Sequence, residues 1–294
     1  MKIKEFKTYD DQVALLQKRG MIIDDYEKAV KTLQYINYYR LSGYWYPLHI
    51  FSPQSKKPSD TFQDGVTFDL VLDLYNFDDK LRRAIFSELS SIELAMRALL
   101  GHELGRISPD IHLHKDFFVD ASKYDKWLST YEEAQRKSHE DFVKHHEREY
   151  AGILPIWAAV EIMDWGLLSH LYSISPRPVR DTISQHVGLT SPQLASWLKS
   201  LNVLRNYSAH HARLFNRVFA VKPKTSNKPE LVILSRTKSR LFGQLTTIQY
   251  LHKALDLSPA TTLPKVLDEY PHNSFVPFTR TGAPTDWKEH PLWH

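Results

Sequence analysis

Cysteine is absent from the 294-residue chain, which excludes disulfides, thiolate nucleophiles and Cys-based zinc sites. Glycine is scarce, at 10 residues, so a strand-and-turn architecture and Gly-rich phosphate loops are both poorly supplied. No apolar run approaches the ~18 residues of a membrane span, and Met1 to Asp10 lacks the apolar core of a signal peptide. The expectation is a cytoplasmic protein with no membrane partner. Histidine is plentiful, at 15 residues, but its spacing suits metal binding poorly. His112 and His114 flank one residue, His145 and His146 are adjacent, and His102-Glu103 lacks the second histidine that a His-Glu-x-x-His helix requires. No metal and no cofactor are expected.

What is present is helix. Leu70, Leu74, Phe77, Leu81, Ile85, Leu89, Ile92, Met96 and Leu99 recur at spacings of three and four, predicting one long helix from the cap at Thr67 to about Leu104. Shorter helices are predicted over 9–19, stopped by Gly20, and over 24–39. Others are expected over 124–150, over 156–174 after Pro155, over 178–187, from Ser191-Pro192 onward, and over 239–257. Residues 52–65 read as a polar loop. Val218 to Val221 and Leu231 to Leu234 read as two short strands forming a β-hairpin around a polar turn. The fold class is mostly α, organised as an N-terminal helical, aromatic-rich segment (1–66), a helical domain (67–257) and a Pro-rich tail (258–294). That tail reads as an irregular strap or partly disordered.

Charge is unevenly placed. Between Lys199 and Arg240 there are ten Lys/Arg and one acidic residue, Glu230, whereas the rest of the chain is net acidic. Such a block is either a solvated face or the footprint of a polyanion. Its cations are Lys199, Arg205, Arg213, Arg217, Lys222, Lys224, Lys228, Arg236, Lys238 and Arg240. If 199–217 is one helix, advancing ~100° per residue, then Lys199, Asn202, Asn206, His210, Arg213 and Arg217 share a polar stripe. Trp197, Leu201, Leu204 and Phe215 then lie opposite, facing the core. On this projection His210 points along the stripe. His211 points to the apolar side, as a packed, hydrogen-bonded histidine. Arg205 fits least, about 140° from His210. The helix bends, or the guanidinium reaches around, or the two meet across a symmetric interface.

The chemistry this set fits is strand cleavage of RNA without a metal, with the neighbouring 2′-hydroxyl as nucleophile. Histidine moves protons near neutral pH, and arginine offers a permanent planar charge to the transition-state phosphorus oxygens. Asn206, one turn before His210, orients the imidazole or holds a phosphate oxygen. DNA lacks the 2′-hydroxyl, so RNA is the expected substrate. The bland alternative is a basic helix that binds RNA or an acidic partner without cutting it. The aromatic block Tyr38 to Tyr46 either stacks unpaired bases or, as is commoner, packs at a helix-to-loop corner. Glu93 and Arg97, at an i, i+4 spacing, are a brace for the cleft or a surface pair, and Glu161 is expected to pair with a basic residue.

Leu204 to Arg217 (LRNYSAHHARLFNR) resembles the signature of abortive-infection proteins of the AbiD/AbiF type, within the HEPN superfamily, where an Arg and a polar residue precede a His. Tyr39 to Pro47 (YRLSGYWYP), Ile92-Glu93 with Arg97, and Leu154 to Trp157 with Glu161, Trp165 and Gly166 resemble further family blocks in order. The resemblance covers roughly residues 10–220 and implies a HEPN-like helical bundle that forms a homodimer, placing two Arg/His sets in one cleft. By that resemblance Arg205 and His210, with four residues between them, match the catalytic pair, and Asn206 matches the polar position after the arginine. His211, Glu93, Arg97 and Glu161 are supporting residues. Lys199, Arg213, Arg217, Lys222, Lys224, Arg236, Lys238 and Arg240 are the candidate RNA-binding set. The implied function is an antiphage or toxin-like endoribonuclease, as in toxin–antitoxin systems, with RNA as substrate and an inhibitory small RNA as a second partner. Two other readings stand beside it: a non-catalytic RNA-binding effector that holds a structured small RNA, and an adaptor acting through a protein partner.

Overall fold

The computed structural model describes residues 3–51, 57–258 and 260–293. Among them the chain forms α1 (Tyr9–Lys18), α2 (Tyr26–Tyr35), α3 (Tyr38–Trp45), β1 (His49–Phe51), β2 (Pro58–Phe62), α4 (Phe68–Gly105), α5 (Ala121–Lys137) and α6 (Asp141–Glu149). These are followed by α7 (Ile156–Ala159), α8 (Trp165–Ile174), α9 (Arg177–His186), α10 (Ser191–Ala209), α11 (Leu234–Thr237), α12 (Leu241–Ala254) and α13 (Thr262–Asp268). The fold is mostly helical, with one small antiparallel sheet in which His49 pairs with Phe62 and Phe51 with Pro58. No helix among the described residues is long and apolar enough to cross a membrane.

Local chemistry sets most boundaries. Thr8 and Asp11 form a capping box that starts α1, and Gly20, at φ +91°, takes the chain out of it. Thr67 accepts from the Leu70 amide and opens α4, whose predicted apolar stripe from Leu74 to Met96 is buried. At 38 residues α4 is about 57 Å long, and it packs against α3, α7, α8, α9, α10, α12 and α13. Two predicted helices are each broken in two. The 124–150 stretch divides at Ser138, and the 156–174 stretch at Asp164, whose carboxylate accepts from the Leu167 amide at 2.7 Å and so begins a new helix.

The hairpin predicted at 218–221 and 231–234 is not there. Residues 218–228 form no strand, and 229–237 are short helical turns. Side chains of α10 take the backbone bonds a strand partner would have taken. Trp197 Nε1 donates to the Lys224 carbonyl at 2.8 Å, Ser200 Oγ to the Val221 carbonyl at 3.2 Å, and the Lys224 amide donates to Ser196 Oγ at 2.8 Å. Pro223 and Pro229 also lack the amide a ladder needs. The sheet instead pairs β1 with β2, and β2 lies in the 52–65 stretch read as a polar loop, of which residues 52–56 lie outside the described residues.

The most enclosed element is α12, buried on all sides from Leu241 to His252. Its polar side chains are paired, as burial requires. Gln244 accepts from Ser200 at 2.7 Å, Gln249 donates to the Ala260 carbonyl at 3.0 Å, and His252 bonds the Ser258 and Glu88 carbonyls at 2.9 Å. Described parts of the C-terminal segment pack against this core: α13 packs on α4, and Trp287 and Trp293 close over Phe242.

His112 is fully buried against Tyr131, and neither ring nitrogen has a protein partner. Burial drives its pKa down to about 4, so the folded protein holds a neutral imidazole. The unfolded chain takes up that proton near pH ~6.5. It therefore binds more protons than the native state in acid, and stability falls as pH drops from about 6.5 toward 4. A loss on the order of 2 kcal/mol between pH 7 and pH 5 is expected from this one group. Urea midpoints at the two pH values check it. His112→Phe should flatten the dependence, and an unchanged acid slope in that variant contradicts the assignment.

Candidate functional site

The capping box of Thr190 and Gln193, with Pro192 in the first turn, starts α10. The helix then runs regularly to Ala209 and stops, with His210 as its C-cap. Its end is a Schellman turn: the Ala212 amide donates to the Tyr207 carbonyl at 2.8 Å and the His211 amide to the Ser208 carbonyl at 3.3 Å. The left-handed position, usually glycine, is filled by His211 at φ +53°. The stripe drawn through 217 is therefore corrected. Lys199, Asn202, Asn206 and His210 keep their places, but Arg213 and Arg217 lie beyond the helix end. His211 is also corrected: it is exposed, not packed, and what it contributes is its carbonyl.

That carbonyl accepts from Arg40 at 2.7 Å, the first of several bonds joining the turn to α3. Arg213 donates to the Gly43 carbonyl at 2.6 Å, and a Cβ at Gly43 would stand 3.0 Å from the Arg213 side chain. The Tyr44 ring stacks on Phe215, centroids 5.8 Å apart. Beneath both sits Asp78 of α4, fully buried. It accepts from Tyr44 Oη at 2.7 Å, Arg82 at 2.6 Å, and the amides of Leu214 at 3.1 Å and Phe215 at 2.7 Å. Burial pushes the Asp78 carboxyl above its ordinary value, while Arg82, Tyr44 and the two amides pull it back. Burial, and then the Asp78 charge, raise the Tyr44 phenol well above its usual range. The aromatic block of α3 is thus the seat of the turn that carries His210.

The predicted site residues are only partly gathered. Asn206 and His210 are exposed at the end of α10, and neither side chain has a hydrogen-bond partner among the described residues. Arg205 turns to α4, with its guanidinium 5.5 Å from the Phe86 ring centroid. Its Nε is buried with no partner, as is Ser208 Oγ. Because α10 is regular here, no bend brings Arg205 round to His210 within one chain. Arg217 lies 4.2 Å over the Tyr207 ring and donates to the Arg213 carbonyl at 2.6 Å. Burial, and then the Arg217 charge, lower the Arg213 pKa, so an anion placed beside the two would relieve them.

Lys199, Lys222 and Lys224 are exposed along the earlier half of α10. Lys224 is anchored at Ser196, about 20 Å along the axis from His210. Arg236, Lys238 and Arg240 flank Ser239, whose carbonyl accepts from the Phe219 amide at 2.9 Å. Lys199, Lys222 and Lys224 thus form a basic track along α10, and the block as a whole does not converge on one point.

Glu93, Arg97 and Glu161 do come together. Arg97 pairs with Glu93 at 2.6 Å and Glu161 at 3.5 Å, and donates to the Met163 carbonyl at 2.8 Å. This fixes the break between α7 and α8, and the start of α8 in turn holds α10, through Trp165 Nε1 to the Leu198 carbonyl at 2.9 Å. Sequence reasoning missed the Asp78–Arg82 pair. Its signal was a carboxylate and an arginine at i, i+4 inside an otherwise apolar stripe between Phe77 and Ile85.

Residues 31–216 match the family model for Abi-like protein, well over half of the chain, and the protein belongs to that family. Membership suggests a role in abortive infection. The match ends at Asn216, and α3, Asp78 and the His210 turn all lie inside it. No curated protein and no solved structure matches the chain.

Proposed function

We propose that this protein is an abortive-infection effector of the AbiD/AbiF type that cleaves RNA by acid/base chemistry needing no metal, on a HEPN-like bundle. The observation that carries the reading is an exposed imidazole without a partner among the described residues, His210, held on a turn that α3 and α4 brace. In the proposed step the RNA 2′-hydroxyl loses its proton and its oxygen bonds the adjacent phosphorus. The 5′-oxygen leaves with a proton, giving a 2′,3′-cyclic phosphate and a 5′-hydroxyl. His210 moves a proton, Arg205 stabilises charge on the phosphoryl oxygens, and Asn206 holds one of them. Lys199, Arg213, Arg217 and the basic residues of 222–240 bind the strand.

The active unit is a homodimer on this reading. Arg205 and His210 diverge by about 140° on a regular helix, so one copy's arginine reaches the other's histidine. Phe86 and Leu94, exposed large apolar residues on α4, supply a contact face beside Arg205. A second reading, RNA held without cutting and an inhibitory small RNA as its ligand, is favoured by the stacking of Arg205 on Phe86 in the single chain. Incubation with total RNA in excess chelator separates the two. Cleavage with cyclic phosphate ends, and none of DNA, is expected; RNA bound but uncut overturns the nuclease.

A further inference from the structure

Ile3 to Lys7 form an arm without regular structure that leads into the α1 cap. The arm lies along the junction of α2 and α3, where Lys4 Nζ donates to Tyr39 Oη at 3.0 Å and sits 5.3 Å from that ring's centroid. Between arm, α1 and junction is a cavity of about 700 Å³, within the usual ~300–1,000 Å³ of ligand sites. Its walls combine tyrosines, Tyr35 and Tyr39 among them, with three cations, Lys4, Lys7 and Arg19, against one carboxylate, Glu5. Tyr35 is 81% exposed, so its ring is open to stacking, and Tyr39, 67% exposed, has Lys4 over one face; Tyr44 and Trp45 of the aromatic block are packed. Gln12 also lines the cavity. Its amide nitrogen is tied to the Lys7 carbonyl at 3.0 Å, which leaves Oε1 as an acceptor without a partner.

Open aromatic faces for stacking, cations for a phosphate and one fixed acceptor for an amino or hydroxyl hydrogen are the needs of an unpaired nucleotide. We propose that this cavity binds one nucleotide, an unpaired base with its phosphate. It is joined to the His210 turn through α3. Tyr39 lines the cavity, while the next residue, Arg40, holds the His211 carbonyl. The link to a strand cut at His210 rests on the function proposed above; the cavity's own chemistry does not.

The test is fluorescence anisotropy with a labelled single-stranded oligoribonucleotide, and competition by AMP and UMP, on the full-length protein and on a Lys4→Ala/Tyr35→Ala variant. Both residues are exposed, so the variant should melt like the parent. Affinity for the oligonucleotide should fall about tenfold, within the range of one lost base stack. Displacement by AMP or UMP identifies a free nucleotide as ligand; displacement by single-stranded RNA alone identifies a strand. Parent-like affinity for both in the double variant overturns the pocket, whether or not RNA is cleaved. Absence of cleavage by the parent protein, with binding that the double variant weakens, overturns the nuclease and leaves the pocket standing.

Discussion

His210→Ala is expected to lower RNA cleavage by about 10²–10⁴-fold, the usual worth of a positioned acid or base, with no change in fold. The imidazole is exposed and bonded to nothing among the described residues, so its removal leaves no buried group there unpaired. The informative comparison is the neighbouring histidine. His211 is in the left-handed conformation, which costs a non-glycine residue roughly 1–2 kcal/mol, and its carbonyl, not its ring, holds Arg40. His211→Gly keeps that carbonyl, relieves the backbone, and gives back about 0.5–1 kcal/mol in unfolded-chain entropy. It should therefore retain both cleavage and melting temperature. Rates on a labelled RNA decide the matter: equal losses in the two variants, or no loss in His210→Ala, would remove His210 from the chemistry.

Where local chemistry decides an element, the sequence was a good guide: the Thr67 cap and apolar stripe of α4, the stop at Gly20, and the start of α10 at Ser191-Pro192 are all where the residues place them. It failed where a distant segment decides. Nothing local ends α10 at Ala209, because the C-terminal position that usually holds glycine holds His211, and the turn is secured by Arg40 and Asp78, more than 130 residues away in sequence. A projection of one uninterrupted helix therefore carried Arg213 and Arg217 onto a face they do not share. The hairpin at 218–234 failed similarly, since alternating apolar residues there meet Trp197, Ser196 and Ser200 of α10 instead of another strand. His210 was picked out because the four residues from Asn206 to Ala209 are still helical and His210 caps them. Arg205 stood out as the misfit on the same ground, and the regular helix leaves it one.

Asp78→Ala is expected to be the most destabilising single change at the site. Arg82 is only 2% exposed and would keep only the partly exposed Asp79, at 3.0 Å, so removing Asp78 leaves a buried charge under-compensated, at up to about 3–5 kcal/mol. The amides of Leu214 and Phe215 also lose their acceptor, as does Tyr44. A fall in melting temperature of roughly 10 °C follows for a chain of this size, with faster amide exchange at 214 and 215 read by hydrogen–deuterium exchange. The double variant Asp78→Leu/Arg82→Met removes charge and counter-charge together, and buried pairs replaced by apolar side chains often recover most of the stability. It does not restore the acceptor for the two amides, so the turn stays loose. Stability and activity should then separate, with melting close to the parent and cleavage still impaired. A parent-like melting temperature in Asp78→Ala would mean that the carboxylate does not anchor the turn. Full cleavage in the double variant would mean that the turn needs no anchor to present His210.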